Sequence, residues 1–268
     1  MPLSSQIQTS DQVSLNVIQF GDPDHPTIVF SNSLGTTWEM WTDQISALKD
    51  RFHLVLYDTR GHGDSEAPQG AYSLSRLSLD VLEIMHALEI ETANFCGLSL
   101  GGMTGQMLAV RAPESFRAFV LAATSAYMGP PAGWQARIQA VQSEGMNAIC
   151  DAVLEKWFSA EGATSQSASN EAKSWFLSTD PVGYSGCCAA IRDMDLRGFA
   201  RVISSPTLII AGENDSATPL NHAEFLNREI SGSFLATLAG GHLINLEQPN
   251  EFSARLAEFF DVVSSPKY

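Results

Sequence analysis

The run Ala93 to Cys96 has the apolar character of a buried strand. It passes straight into Gly97-Leu98-Ser99-Leu100-Gly101, and a helix pattern follows from Gly102 to Val110. A serine on so abrupt a strand-to-helix turn is held in a strained backbone conformation. Bulky side chains two positions to either side would clash there, hence Gly97 and Gly101. The turn exposes the Ser99 hydroxyl at the carboxyl edge of a sheet, and the new helix aims its first N–H groups at the same spot. That context favours a nucleophile over a helix-capping serine.

Around this turn the chain alternates. Val13 to Phe20 reads as a strand of an antiparallel hairpin that turns at Gly21-Asp22-Pro23-Asp24. Strand patterns follow at Thr27 to Phe30, His53 to Tyr57 and Phe119 to Ala123, with helix patterns at Trp38 to Leu48 and Leu77 to Leu88. Strands alternating with amphipathic helices imply an α/β fold, a mostly parallel sheet covered on both faces. From about Ser125 to Arg201 the rhythm stops. Helix patterns occur at Trp134 to Glu144, Asn147 to Phe158 and Glu171 to Leu177, with a Ser/Ala/Gly-rich loop expected at Ser159 to Ser169. Alternation returns with Pro206 to Ala211, Ala223 to Ile230, Ser233 to Leu238 and Phe252 to Val263. Residues 1–124 and 203–268 are therefore expected to form the core, and 125–202 a helical cap, or lid, over the sheet's carboxyl end.

The 268 residues are 44% hydrophobic, enough for a real core, and carry a formal charge of −15. A chain so acidic is a poor partner for nucleic acid or an anionic membrane, and a cation that meets an anionic ligand must be placed locally. The first twenty residues lack a basic start and an apolar stretch, and no run reaches the length of a membrane span, so the cytoplasm is expected. Cys96, Cys150, Cys187 and Cys188 have no metal-site spacing and read as reduced packing residues.

A serine nucleophile needs a base, and the base a carboxylate to orient it. His242, in Gly240-Gly241-His242, follows the last strand pattern. Asp215, in Gly212-Glu213-Asn214-Asp215, follows the strand Pro206 to Ala211. Both belong at the edge where Ser99 emerges, in the chain order Ser, Asp, His. His62, on a loop at the same edge, competes for the role of base, and Asp58 and Glu213 compete with Asp215. The loop Ser31-Asn32-Ser33-Leu34-Gly35 sits where esterases supply one oxyanion donor. By spacing from Trp41 the donor is the Leu34 N–H, and the Leu100 N–H is the second.

The chain resembles the α/β-hydrolase fold family and, within it, the 3-oxoadipate enol-lactonases. The likeness spans nearly its whole length. It rests on the Ser31–Gly35 loop, on Tyr57-Asp58-Thr59-Arg60-Gly61-His62-Gly63-Asp64-Ser65, and on Gly97 to Gln106 with Met103-Thr104-Gly105. Ala211 to Pro219 and Gly241 to Pro249 complete it. The resemblance implies hydrolysis of 3-oxoadipate enol-lactone to 3-oxoadipate in the breakdown of aromatic acids, with no metal or organic cofactor. The partner is then a small anionic lactone. Its free carboxylate needs a cation, and Trp134 and Arg137 share a helix face at i and i+3, where the lactonases have a similar pair. Arg60, Lys156 and Arg192 are alternatives, although Arg60 is expected to brace its loop through Asp58 or Asp64. A broad carboxylesterase or a carbon–carbon hydrolase would use the same triad, and a small-molecule receptor could share the fold.

Overall fold

A computed structural model describes residues 3–159 and 166–264. Its centre is one eight-stranded sheet. The strands are β1 (Leu3–Gln8), β2 (Ser14–Phe20), β3 (Thr27–Ser31), β4 (His53–Tyr57), β5 (Ala93–Leu98), β6 (Phe116–Ala122), β7 (Thr207–Gly212) and β8 (Phe234–Leu238). Their spatial order is β1-β2-β4-β3-β5-β6-β7-β8. The first two pairings are antiparallel and the remaining six strands run parallel. Every residue of β3, β4, β5 and β7 is buried, as strands covered on both faces must be.

The helices that cover the sheet are α1 (Thr42–Leu48), α2 (Leu74–Ala87), α3 (Leu100–Arg111), α8 (Leu220–Glu229), α9 (Ile244–Glu247) and α10 (Pro249–Ser264). Between β6 and β7 lie α4 (Pro131–Glu144), α5 (Cys150–Trp157), α6 (Gln166–Ser178) and α7 (Pro181–Asp193), with no strand among the described residues. Within this block α4 packs on α7 and α5 on α6. The four cysteines are free and buried. No described helix is long and apolar enough to cross a membrane.

The structure departs from the sequence reading in several places. The hairpin partner of β2 is not reached through Gly21–Asp24: β2 pairs with β1 and with β4, while β3 lies between β4 and β5. Strand β1 escaped notice because Ser4, Ser5, Gln6 and Gln8 give an edge strand little apolar signal. Part of the loop expected at Ser159–Ser169 is helix, since α6 begins at Gln166; residues 160–165 lie outside the described residues. Helix α7 was not expected at all. Its Gly183, Ser185, Gly186, Cys187, Cys188, Ala189 and Ala190 are all buried, so it has no polar face for a helical period to register. These small residues let the helix press on the core, where a Cβ on Gly183 would lie 2.2 Å from the Gly61 Cα.

Arg60, too, departs from expectation and does not brace its loop through Asp58 or Asp64. Its buried guanidinium forks onto Asp80 of α2, Nε to Oδ2 at 2.7 Å and Nη2 to Oδ1 at 2.6 Å, and Nη1 donates to Asp11 at 2.9 Å. Arg76 closes the cluster onto Asp80 and Glu83. Asp58 instead accepts from Asn16 Nδ2 and from the Trp38 and Asp64 amides. Removing one partner of a buried pair leaves a stranded charge. Asp80→Ala is therefore expected to lower the unfolding free energy by about 3 kcal/mol or more. Asp11→Ala, at a carboxylate open to water, should lose about 1 kcal/mol or less. Urea unfolding of the two variants checks the ranking.

Candidate active site

At the end of β5 the backbone turns through Ser99 at φ 57° and ψ −112°, and α3 starts at the next residue. Such a φ is unfavourable for any residue with a Cβ and persists only where its surroundings fix it. Here they do so by contact of backbone on backbone. A Cβ on Gly97 would stand 2.2 Å from the Gly101 carbonyl oxygen, and one on Gly101 would stand 2.1 Å from that of Ser31. The Ser99 N–H donates to the Ala122 carbonyl at 2.9 Å, and the Thr124 hydroxyl donates to the Ser99 carbonyl at 2.7 Å. The turn leaves Ser99 in the wall of a cavity.

Asp215 and His242 converge on it from the loops after β7 and β8. His242 Nε2 is 2.9 Å from Ser99 Oγ, and Nδ1 is 2.8 Å from Asp215 Oδ2. An ionised carboxylate can only accept, so the imidazole proton lies on Nδ1 and Nε2 presents a lone pair to the Ser99 hydroxyl. Asp215 is itself held: Oδ1 accepts from the Ala217 and Thr218 amides, both at 2.8 Å, and Oδ2 from the Thr218 hydroxyl at 2.6 Å. Burial opposes its charge, but His242 and the bonds from His242 and Thr218 outweigh burial and keep the carboxyl below its ordinary value. The His242 loop is tied by Glu247, whose carboxylate accepts from the Gly241 amide at 2.5 Å and from the Ser159 amide at 2.7 Å.

Two amides beside these residues are left unpaired. Leu34 N–H and Leu100 N–H have no hydrogen-bond partner among the described residues, whereas Ser33 N–H meets Met40 Sδ, Gly35 N–H meets His62, and Gly101 N–H meets the Asn32 carbonyl. The cavity measures about 410 Å³ and is lined by Ser33, Leu34, Ser99 and His242 on the core side. Trp134, Arg137, Lys156, Trp157 and Tyr184 line it from the helical block. No acid lines it among the described residues. The Arg137 guanidinium lies 4.8 Å from the Trp134 ring centroid and donates to the Tyr184 hydroxyl at 3.4 Å. Arg192 is spent on Asp193 and Gln135 and stands outside the cavity wall.

A sequence model of the alpha/beta hydrolase fold matches residues 26–249. The chain belongs to the α/β-hydrolase fold family. This α/β-hydrolase is 39% identical to 3-oxoadipate enol-lactonase 2 of Acinetobacter baylyi, over 91% of its own length and 92% of the relative's. It superposes with TM-score 0.92 on a hydrolase from Pseudomonas aeruginosa PA01, at 42% identity, over 96% of this chain and 98% of that one. With the enol-lactonase from Burkholderia xenovorans LB400 the TM-score is 0.93 at 37% identity, over 96% and 100%. The resemblance read from the motifs thus extends along the fold.

The structure brings Ser99, Asp215, His242, Leu34, Leu100, Trp134 and Arg137 to one end of the sheet. His62 lies behind the Leu34 loop, Asp58 beneath the next loop, and Glu213 is exposed. Sequence reading missed Thr218 and Glu247. Thr218 was detectable in this α/β-hydrolase, since Asp-x-x-Thr before Pro219 is a pattern in which an Asp side chain accepts the following amides. Because the folded-state value of Asp215 is depressed, its stabilisation is complete above the unfolded carboxyl value of about 4. It is lost as pH falls through the lower folded value. The gap in unfolding free energy between wild type and Asp215→Asn should therefore be flat from about pH 5 to 7 and narrow below about 4. Urea melts across that range test this.

Proposed function

We propose that the chain is a serine hydrolase that opens 3-oxoadipate enol-lactone to 3-oxoadipate. One observation carries the reading: the unbroken run Ser99–His242–Asp215 opens on a cavity that carries Arg137 and Lys156 and no described acid. The names of the relatives above support the choice of lactone. In a protein of charge −15, a cavity wall of this kind favours a small anion.

In this reading Ser99 Oγ attacks the lactone carbonyl as His242 Nε2 takes its proton. The oxyanion forms between the Leu34 and Leu100 amides, and Asp215 stabilises the imidazolium. The ring C–O bond breaks and its electron pair leaves on the enol oxygen as an enolate. An enolate leaves more readily than an alkoxide, so His242 has less work as acid there and more as base for the attacking water. That water cleaves the acyl-enzyme to the carboxylate, and the enol gains its proton at carbon to give the ketone. The free carboxylate of the substrate sits on Arg137, which Trp134 holds in place by stacking. The block 125–202 acts as the lid that supplies these groups.

Turnover of the enol-lactone beside a simple aryl ester and a ring-fission dienoate tests the substrate. The lactone should be turned over fastest, and preference for either of the others would replace this reading with an esterase or a carbon–carbon hydrolase. Ser99→Ala should lose about 10⁴-fold or more in kcat with the fold intact, and a serine-directed phosphonate should label only the wild type. Arg137→Ala should reduce kcat/KM for the anionic lactone more than for a neutral ester, by about 1.5 to 3 kcal/mol. Equal losses on both would move the carboxylate site to Lys156.

A further inference from the structure

We propose that His62, with Thr36, is a positioning residue for the oxyanion site: together they fix the peptides on either side of Leu34, so that its N–H stays aimed at Ser99. The inference rests on the serine-hydrolase part of the reading above and not on the choice of lactone.

The argument starts from peptide geometry. All the described peptide bonds are trans, so each C=O points opposite to the N–H of the following residue. The Ser33 carbonyl is fixed by the Thr36 hydroxyl at 2.8 Å and the Thr36 amide at 3.3 Å. Fixing that carbonyl fixes Leu34 N–H on the other side of the same plane. The next peptide is held from its amide end, where Gly35 N–H donates to His62 Nε2 at 2.9 Å. A loop residue between two unpinned peptides could turn its amide away at little cost; Leu34 has neither freedom. The second donor is tied to the first, because Gly101 N–H, one residue past Leu100, donates to the Asn32 carbonyl at 3.0 Å.

His62 can do this only as an acceptor. Its Nε2 receives an amide proton, so the ring proton lies on Nδ1, which faces the Arg60 carbonyl at 3.3 Å. Only 1% of the residue is exposed, and burial pushes its imidazole down to about 4, so the lone pair survives at neutral pH. Arg60, clamped by Asp80, anchors the carbonyl that orients the ring. A histidine committed in this way is not available as the base for Ser99.

The test uses a neutral aryl ester and a serine-directed phosphonate. Gln at 62 can offer an oxygen near the Nε2 position, whereas Leu cannot. His62→Leu should lower kcat by about 100-fold, the smaller end for loss of an oxyanion donor, with KM within about twofold. Phosphonate labelling of Ser99, which forms the same tetrahedral geometry, should slow in parallel. His62→Gln should recover activity to within about tenfold of wild type, the scale of one imperfect hydrogen bond. Thr36→Val, which keeps the side-chain shape, should lower kcat by about three- to tenfold at unchanged KM. Equal losses in His62→Leu and His62→Gln, or an effect confined to KM, would overturn the proposal. Should His62→Leu fail to fold, His62→Gln and Thr36→Val decide: wild-type kcat in Thr36→Val overturns it. A wild type that the phosphonate leaves unlabelled would refute the serine chemistry itself, a separate outcome.

Discussion

Everything at the sheet's carboxyl edge depends on how closely backbone approaches backbone beneath Ser99. Gly97 meets the Gly101 carbonyl and Gly101 meets the Ser31 carbonyl at separations that leave no room for a Cβ. That contact lets β5 become α3 within one residue, and it holds Ser99 at a positive φ that its own side chain resists. It also brings β3's exit loop against the start of α3, so that Asn32 can accept from Gly101. The hydroxyl, the two free amides and the loop that carries one of them are therefore placed by a single steric fit. His242 and Asp215 then need only arrive at the correct height, and the ends of β7 and β8 provide that.

The charge distribution complements this geometry. The chain's acids are abundant, yet those near the site are either buried behind His242, as Asp215 is, or spent on backbone amides, as Asp58 and Glu247 are. The strongest ionic cluster, Arg60 with Asp80, Asp11 and Arg76, lies beneath the His62 loop and outside the cavity wall. The cavity is thus left to Arg137 and Lys156 among the described ionic groups besides His242. A protein of charge −15 presents a locally cationic chamber by keeping carboxylates out of that wall.

How much of this could be read from the chain depended on whether the signal was local. Strand β5, the Ser99 turn and α3 were legible because glycine spacing and apolar periodicity sit within twenty residues. Asp215 and His242 were legible because each follows a strand by a few positions, where a parallel sheet delivers side chains to one edge. Arg60's partners were not, since Asp80 is on the buried face of α2 and Asp11 is in the β1–β2 turn, and only the tertiary fold joins them. Helix α7 was hidden for the opposite reason, a uniform run of small buried residues with no polar side to mark its period. The role of His62 was equally out of reach, because a histidine on an edge loop looks the same from sequence whether it takes a proton from a hydroxyl or accepts one from an amide.

The contact of α7 with the core divides the cavity wall into two parts with different freedom to change. Gly183 lies against Gly61 and Gly186 against the Tyr72 ring, both closer than a Cβ would allow. Any side chain introduced there would push on the loop that carries His62, and through it on Gly35. Trp134, Arg137 and Lys156 come instead from α4 and α5, and α5 meets the core where the Trp157 carbonyl accepts the Leu243 amide at 2.9 Å. Side-chain changes at Trp134, Arg137 and Lys156 can thus alter which molecules the chamber admits without entering the contact between Gly183 and Gly61. Exchange of α7 would disturb both at once, so a library aimed at new substrates belongs at the lining positions Trp134, Arg137 and Lys156.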